Sequence, residues 1–243
     1  GVRAMNGDLQ TIWVYLATTP LLSLTLTLLA YLAGVWLHEK CGHNPLVNPV
    51  FFAVLTLVAL LMITDTDYST YFEGAQFVHF LLGPATVALA IPLYRQVQRV
   101  RKSALAIFVA VTCGSITAAI TAVGIGWLLG ASSATLLSMA PKSATTPVAM
   151  GISEQLGGLP SLTAAAVILT GIIGAMAGSS LLALFRISDA RAQGLALGVA
   201  SHGIGTARAL EIDEVAGAFS GLAMGLNAIA TALLVPVLFR LLL

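Results

Sequence analysis

Lys142 stands between Pro141 and Pro147 in the stretch SMAPKSATTPVAM at residues 138–150, where the remaining side chains are apolar, small or hydroxylated. A charge is costly in hydrocarbon, so a lysine kept between two helix-breaking prolines points to a cavity or path inside the protein rather than to a lipid-facing surface. Ser143, Thr145 and Thr146 put three hydroxyls within a few residues of it. A cation, hydroxyls and the unpaired N–H groups of a helix start together make a cradle for an anion such as a carboxylate. The competing structural reading has Lys142 snorkelling to the interface or pairing with Glu154, with the threonines bonding back to their own helix.

A second constellation lies at residues 201–209, SHGIGTARA. Gly203 and Gly205 allow the backbone to open there, so that carbonyls and amides beside Ser201, His202, Thr206 and Arg208 become ligands. Histidine exchanges a proton near neutral pH, which makes His202 the candidate for a coupled proton. No second His, Cys or carboxylate stands at ligand spacing around it, so neither a metal nor any other cofactor is expected. Ser201 and His202 do not read as a nucleophile and its base, because adjacent residues on a helix diverge by about 100°. Asn48 before Pro49, and Thr86 after the Gly83-Pro84 break, each offer a polar group beside backbone that cannot complete a helix, although Asn48 equally suits a helix cap. His38, His43 and His79 have no partner pattern and read as structural or interfacial.

These groups must be positioned by helices in a membrane. Of the 243 residues 58% are hydrophobic and 9% charged, with a mean hydropathy of +0.96, against about a quarter charged in soluble domains. A net charge of +1 with one short basic run, RQVQRVRK at 95–102, excludes a nucleic-acid partner. That run reads as a topogenic loop. Cys41 and Cys113, one in a loop and one in an apolar helix, do not make a disulfide framework. Gly1–Ala4 reads as a remnant of processing ahead of Met5, and the first apolar run lacks the cleavage pattern of a signal peptide.

Runs approaching or exceeding spanning length, about 20 residues, fall at 9–37, 50–63, 77–94, 104–129, 162–185 and 215–242, while 133–156 and 190–210 are apolar but interrupted. The breaks at Pro84, at Pro141 to Pro147 and at His202 to Gly205 mark an interior, since unpaired backbone at membrane depth is tolerated only against protein or water. Arg95, Arg99, Arg101, Lys102, Arg186, Arg191 and Arg240 fall in segments expected on the cytoplasmic side. For these to share a face, 133–156 must enter and leave on the same side as a re-entrant hairpin with its tip near 142–146; the alternative is a full span that violates the charge bias at one loop. Ala17-Thr18-Thr19-Pro20 recurs as Ala144-Thr145-Thr146-Pro147, which suggests two repeats, 5–129 and 130–243, with a site between them. The expected fold is therefore an all-α, polytopic membrane helical bundle with inverted repeats and broken or re-entrant helices. The glycines at 217, 221 and 225, and at 171, 174 and 178, read as close-packing faces, with an oligomer interface as the second reading.

The stretches FLLGPATVALA (80–90), PKSATTPVA (141–149), LGGLPSLT (156–163), GLALGVASHGIGTARA (194–209) and GAFSGLAM (217–224) resemble the signature segments of the LrgB family. That family includes the CidB proteins and the transporter half of the plastid glycolate/glycerate translocator. The resemblance runs collinearly over nearly the whole chain after Met5, departing at positions such as Ala144 and Val148. It implies a multi-pass protein of the bacterial inner membrane with a small LrgA-type membrane protein as partner, and either of two roles. One is a secondary carrier of small monocarboxylates such as glycolate, glycerate, pyruvate or lactate; the other is a holin- or antiholin-like modulator of murein hydrolase activity and lysis. A pore of simple helices needs no buried lysine, histidine and Pro/Gly breaks, so the sequence favours the carrier, proton-coupled, non-enzymatic and homo-oligomeric with a dimer first. In that reading Lys142 and Arg208 neutralise the carboxylate and Ser143, Thr145, Thr146 and Ser201 bond its oxygens.

Overall fold

The computed structural model describes residues 20–242 apart from 82, 83, 85, 86 and 89. Thr86, Gly83 and the first three residues of the early Ala-Thr-Thr-Pro copy thus lie outside the described residues. Among the described residues every regular element is a helix, and four helices are long and apolar enough to cross a membrane: Leu21–Lys40, Ala104–Leu128, Pro160–Leu184 and Glu214–Arg240. Their outward side chains include many large apolar residues, with Leu169, Ile173 and Leu184 more than half exposed. That is the surface of a bundle solvated by hydrocarbon, where backbone polar groups must be satisfied inside each helix. The chain is an all-α, multi-pass membrane protein.

The chain divides into two compact units, 1–88 and 89–243. In the first, α1 (Pro20–Lys40), α2 (Pro49–Ile63) and α3 (Tyr68–Phe80) follow one another. Asn48 Oδ1 accepts from the backbone N–H groups of Val50 (3.0 Å) and Phe51 (3.1 Å), satisfying two of the donors a helix start leaves open. A Cβ on Gly34 would meet the Pro49 carbonyl oxygen at 2.7 Å, so α1 and the start of α2 approach backbone to backbone. The Thr27 and Tyr71 hydroxyls, 2.7 Å apart, join α1 to α3. With 15 residues α2 is shorter than the about 20 needed to span a bilayer.

The second unit holds α4 (Ala90–Arg95), α5 (Val97–Lys102), α6 (Ala104–Leu128), α7 (Ser133–Met139), α8 (Thr146–Leu156), α9 (Pro160–Leu184), α10 (Ala190–Ile212) and α11 (Glu214–Leu242). The basic run expected as a loop is instead helical, forming the end of α4 and all of α5, because nothing in VQRVRK resists a helix. Ile107 and Val111 of α6, Val199 of α10, and Phe219 and Ala223 of α11 form the main apolar cluster. Gly194 and Gly198 let α10 lie against the Ala216 and Ser220 carbonyls of α11, where a Cβ at either position would collide with backbone. Gly217 likewise faces Leu210. Helix packing within the chain uses these glycines.

Candidate functional site

Residues 140–145 interrupt the helical path between α7 and α8, and the interruption follows from Pro141 and Pro147. Thr145 occupies the N-cap of α8 without a side-chain cap bond, and Thr146 and the exposed Pro147 open the helix. On the far side of α8 the N–H of Leu159 donates to Ser138 Oγ at 2.7 Å, returning the chain to the last turn of α7. The segment is thus a short helix, a break and a short helix.

In α10 the break falls at Ser201 (φ −133°, ψ 16°) and His202 (φ 42°, ψ −133°), ahead of the glycines expected to supply it. Gly203 and Gly205 continue the helix. Gly205 serves close packing instead, since a Cβ there would meet the Leu197 carbonyl oxygen at 2.5 Å and Ser201 Cβ at 2.6 Å. Positive φ in a non-glycine residue is strained, and such residues persist where surrounding contacts fix them. His202 is fixed on both sides. Its Nε2–H donates to the Val167 carbonyl of α9 at 2.8 Å, and its own carbonyl accepts from Thr206 Oγ1 at 2.9 Å. Its ring fits because Gly171 has no Cβ, which would stand 2.5 Å from Cε1.

A broken helix releases carbonyls from their usual partners. Asn227 of α11, fully buried, takes up two oxygens: its Nδ2 donates to Val199 O of α10 at 3.2 Å and to Ser143 O of the α7–α8 connector at 2.9 Å. Its Oδ1 accepts from Ser115 Oγ of α6 at 2.5 Å. One amide therefore ties both breaks to two further helices. Sequence reasoning passed over Asn227; its signal was a carboxamide in an otherwise almost wholly apolar spanning helix, where every polar side chain needs a partner.

Between α6, α9, α10 and the connector lies a cavity of about 1080 Å³. Its walls are mostly alanine, leucine, isoleucine and valine; Thr117, Lys142, Ser143, Thr170 and Ser201 are polar exceptions. Lys142 is half-buried, and its ammonium has no hydrogen bond or ion pair among the described residues. Glu154, the alternative partner, is exposed and not paired with it. Ser201 Oγ is buried without a hydrogen-bond partner among the described residues, and Gly174 makes the room it occupies.

The structure thus brings Lys142, Ser143 and Ser201 to one cavity. His202 turns its ring to α9, and Thr206 Oγ1 reaches Ser220 Oγ at 3.0 Å. Arg208 is engaged elsewhere, 2.7 Å from Glu211 Oε2 and 3.4 Å from Ser179 Oγ, and is not among the cavity's lining residues. Gly203 is exposed. Asn48 caps α2 in the other unit, and Pro84 is helical and exposed.

The chain is 37% identical over 218 residues to the uncharacterized protein YwbG of Bacillus subtilis (strain 168), an alignment covering 90% of this chain and 96% of that one. It is 34% identical over 218 residues to the antiholin-like protein LrgB of Bacillus cereus (strain B4264) and to that of Bacillus anthracis (strain CDC 684 / NRRL 3495), covering 90% of this chain and 95% of each. No solved structure matches it. These relatives overturn the expectation of a monocarboxylate carrier, since the function named among them is antiholin-like and none is named for transport of an acid. The stretch from Pro141 to Pro147 misled because it reads as a compact anion cradle, whereas the fold sets Lys142 and Ser143 against a large and mostly aliphatic cavity without Arg208. A model of the LrgB-like family matches residues 27–241, and the chain belongs to that family.

Proposed function

We propose that this protein is an antiholin-like membrane protein, a non-enzymatic modulator of murein hydrolase activity and lysis that works with a small LrgA-like membrane protein. The observation that carries the reading is the near end-to-end relationship to proteins named antiholin-like, over 90% of this chain and 95% of theirs. The exposed apolar faces of α6 and α9 are compatible with it, because they offer a surface for association inside a bilayer. His202 supports a non-enzymatic role as well: its Nε2 is held by the Val167 carbonyl rather than by the Ser201 hydroxyl.

The test is complementation in a Bacillus strain deleted for its own LrgB-like protein. Detergent-induced lysis and zymograms of murein hydrolase activity are followed with and without this chain. The expected outcome is faster lysis in the deletion strain and a return to the parental rate on expression. Membrane-inserted chain that leaves both readouts at the deletion level overturns the proposal. Capture of the LrgA-like protein by tagged chain, lost when α6 or α9 carries an outward charge such as Phe108→Lys, tests the partnership.

A further inference from the structure

Two groups in the large cavity lack the partners that buried polar atoms require. Lys142 reaches it with no counter-charge among the described residues, and Ser201 Oγ, on a residue only 1% exposed, lines the same space with no hydrogen-bond partner among them. A cation inside a membrane protein is ordinarily matched by an anion or by carbonyls, and an unpaired buried hydroxyl is the exception that calls for a ligand or water.

The dimensions and lining say which anion. At about 1080 Å³ the cavity is at or above the top of the range of small-molecule pockets, about 300–1,000 Å³. Beyond Lys142, Ser143 and Ser201 the walls of α6 and α9 are mostly small or aliphatic residues, alanine, glycine, leucine and isoleucine, with Cys113, Thr117 and Thr170 interspersed. Leu169 and Ile173, which line the cavity, are 55% and 62% exposed on α9, a helix long and apolar enough to span. An occupant that enters past such side chains on a spanning helix comes from hydrocarbon and brings an apolar body with its negative charge.

We propose that this cavity holds a negatively charged lipid of the surrounding bilayer, its phosphate-bearing headgroup against Lys142 and Ser201 and an acyl chain along the walls of α6 and α9. The breaks at 140–145 and at Ser201–His202 are what open this space for a headgroup, and Asn227 holds both breaks in place. The inference stands apart from the antiholin reading, because lipid binding is measured on purified protein and lysis is not involved.

The test uses the full-length chain in mild detergent, with mixed micelles of phosphatidylglycerol or phosphatidylcholine, or with inorganic phosphate alone. Melting midpoint and lipid retention by native mass spectrometry are recorded. Phosphatidylglycerol is expected to raise the midpoint and to be retained at one per chain. Lys142→Met is expected to weaken it about tenfold or more, the loss of one charge-assisted contact. Lys142→Arg keeps most of the binding. Ile173→Trp obstructs the cavity while leaving the charge in place, and is expected to weaken binding as well. Equal stabilisation by phosphatidylcholine overturns the proposal, as does wild-type affinity in folded Lys142→Met. Displacement of the lipid by millimolar inorganic phosphate overturns it in favour of a soluble-anion site. If Lys142→Met does not fold, unchanged binding in Ile173→Trp decides against it.

Discussion

Asn227 shows how much one side chain can hold together in a membrane interior. Its three hydrogen bonds run to α6, to α10 and to the α7–α8 connector, and hydrocarbon offers no water to replace them. A hydrogen bond inside a helical membrane protein contributes about 0.6 kcal/mol on average. Asn227→Leu is therefore expected to destabilise the protein by about 2 kcal/mol in all, read as a lower melting midpoint in detergent, whereas Asn227→Asp, which keeps an acceptor for Ser115 but no amide, restores little of it. Asp189 is an exposed cap of α10, bonded to Arg191 at 2.6 Å. The Arg191 guanidinium holds its carboxyl at about 2, against an ordinary value of 3.8. A lowered folded value means that the pair's contribution is present above 3.8 and lost as pH falls through about 2. The stability difference between the protein and Asp189→Asn, which keeps the cap, should hold from neutral pH to about 4 and shrink toward pH 2; a pH-independent difference in thermal melts refutes it.

Among the elements, α10 and α9 are matched surfaces, a broken helix fitted against glycines. Gly171 leaves room for the His202 ring, and that ring is tied to Val167 and cannot retreat. Gly171→Ala is thus expected to cost about 1–3 kcal/mol by overpacking. Gly225→Ala is the control, with nothing within 4 Å of its Cβ position, and should be neutral or stabilising by up to about 1 kcal/mol through helix propensity. Similar losses for both in detergent melts would show that the α9–α10 fit is not what Gly171 provides. In the other unit the cap of α2 rests on one carboxamide. Asn48→Ala should lower stability by about 1 kcal/mol, and Asn48→Asp should recover most of it. The Pro-flanked break and the cap could be read from sequence, because proline and a capping side chain act on their immediate neighbours. The exact point of the α10 break could not. Gly203 and Gly205 drew attention as flexible residues, but tertiary contacts to Val167 and Thr206 place the strained backbone at His202.

At the scale of the molecule, the distribution of Lys and Arg makes a prediction about orientation. Loops before α6 and before α10 are expected on the same, cytoplasmic side if α7 and α8 return the chain to the face from which it came. Reporter fusions at Ser103 and Ser188 should then give the same side, and opposite sides would mean that the α7–α8 segment crosses. The class of this protein was legible in its residues alone, because apolar runs of spanning length, scarce charge and long family-like segments are properties of composition and local order. The helix break at Lys142 was legible there too, whereas the break in α10, expected at His202 to Gly205, falls at Ser201 and His202. Which polar groups meet depended on the packed fold. It took Arg208 to Glu211 and His202 to Val167, put Lys142, Ser143 and Ser201 around one cavity, and joined Asn227 to residues 112, 84 and 28 positions away. Those pairings follow from helices packing side by side, a relation between distant segments that no local pattern of residues carries.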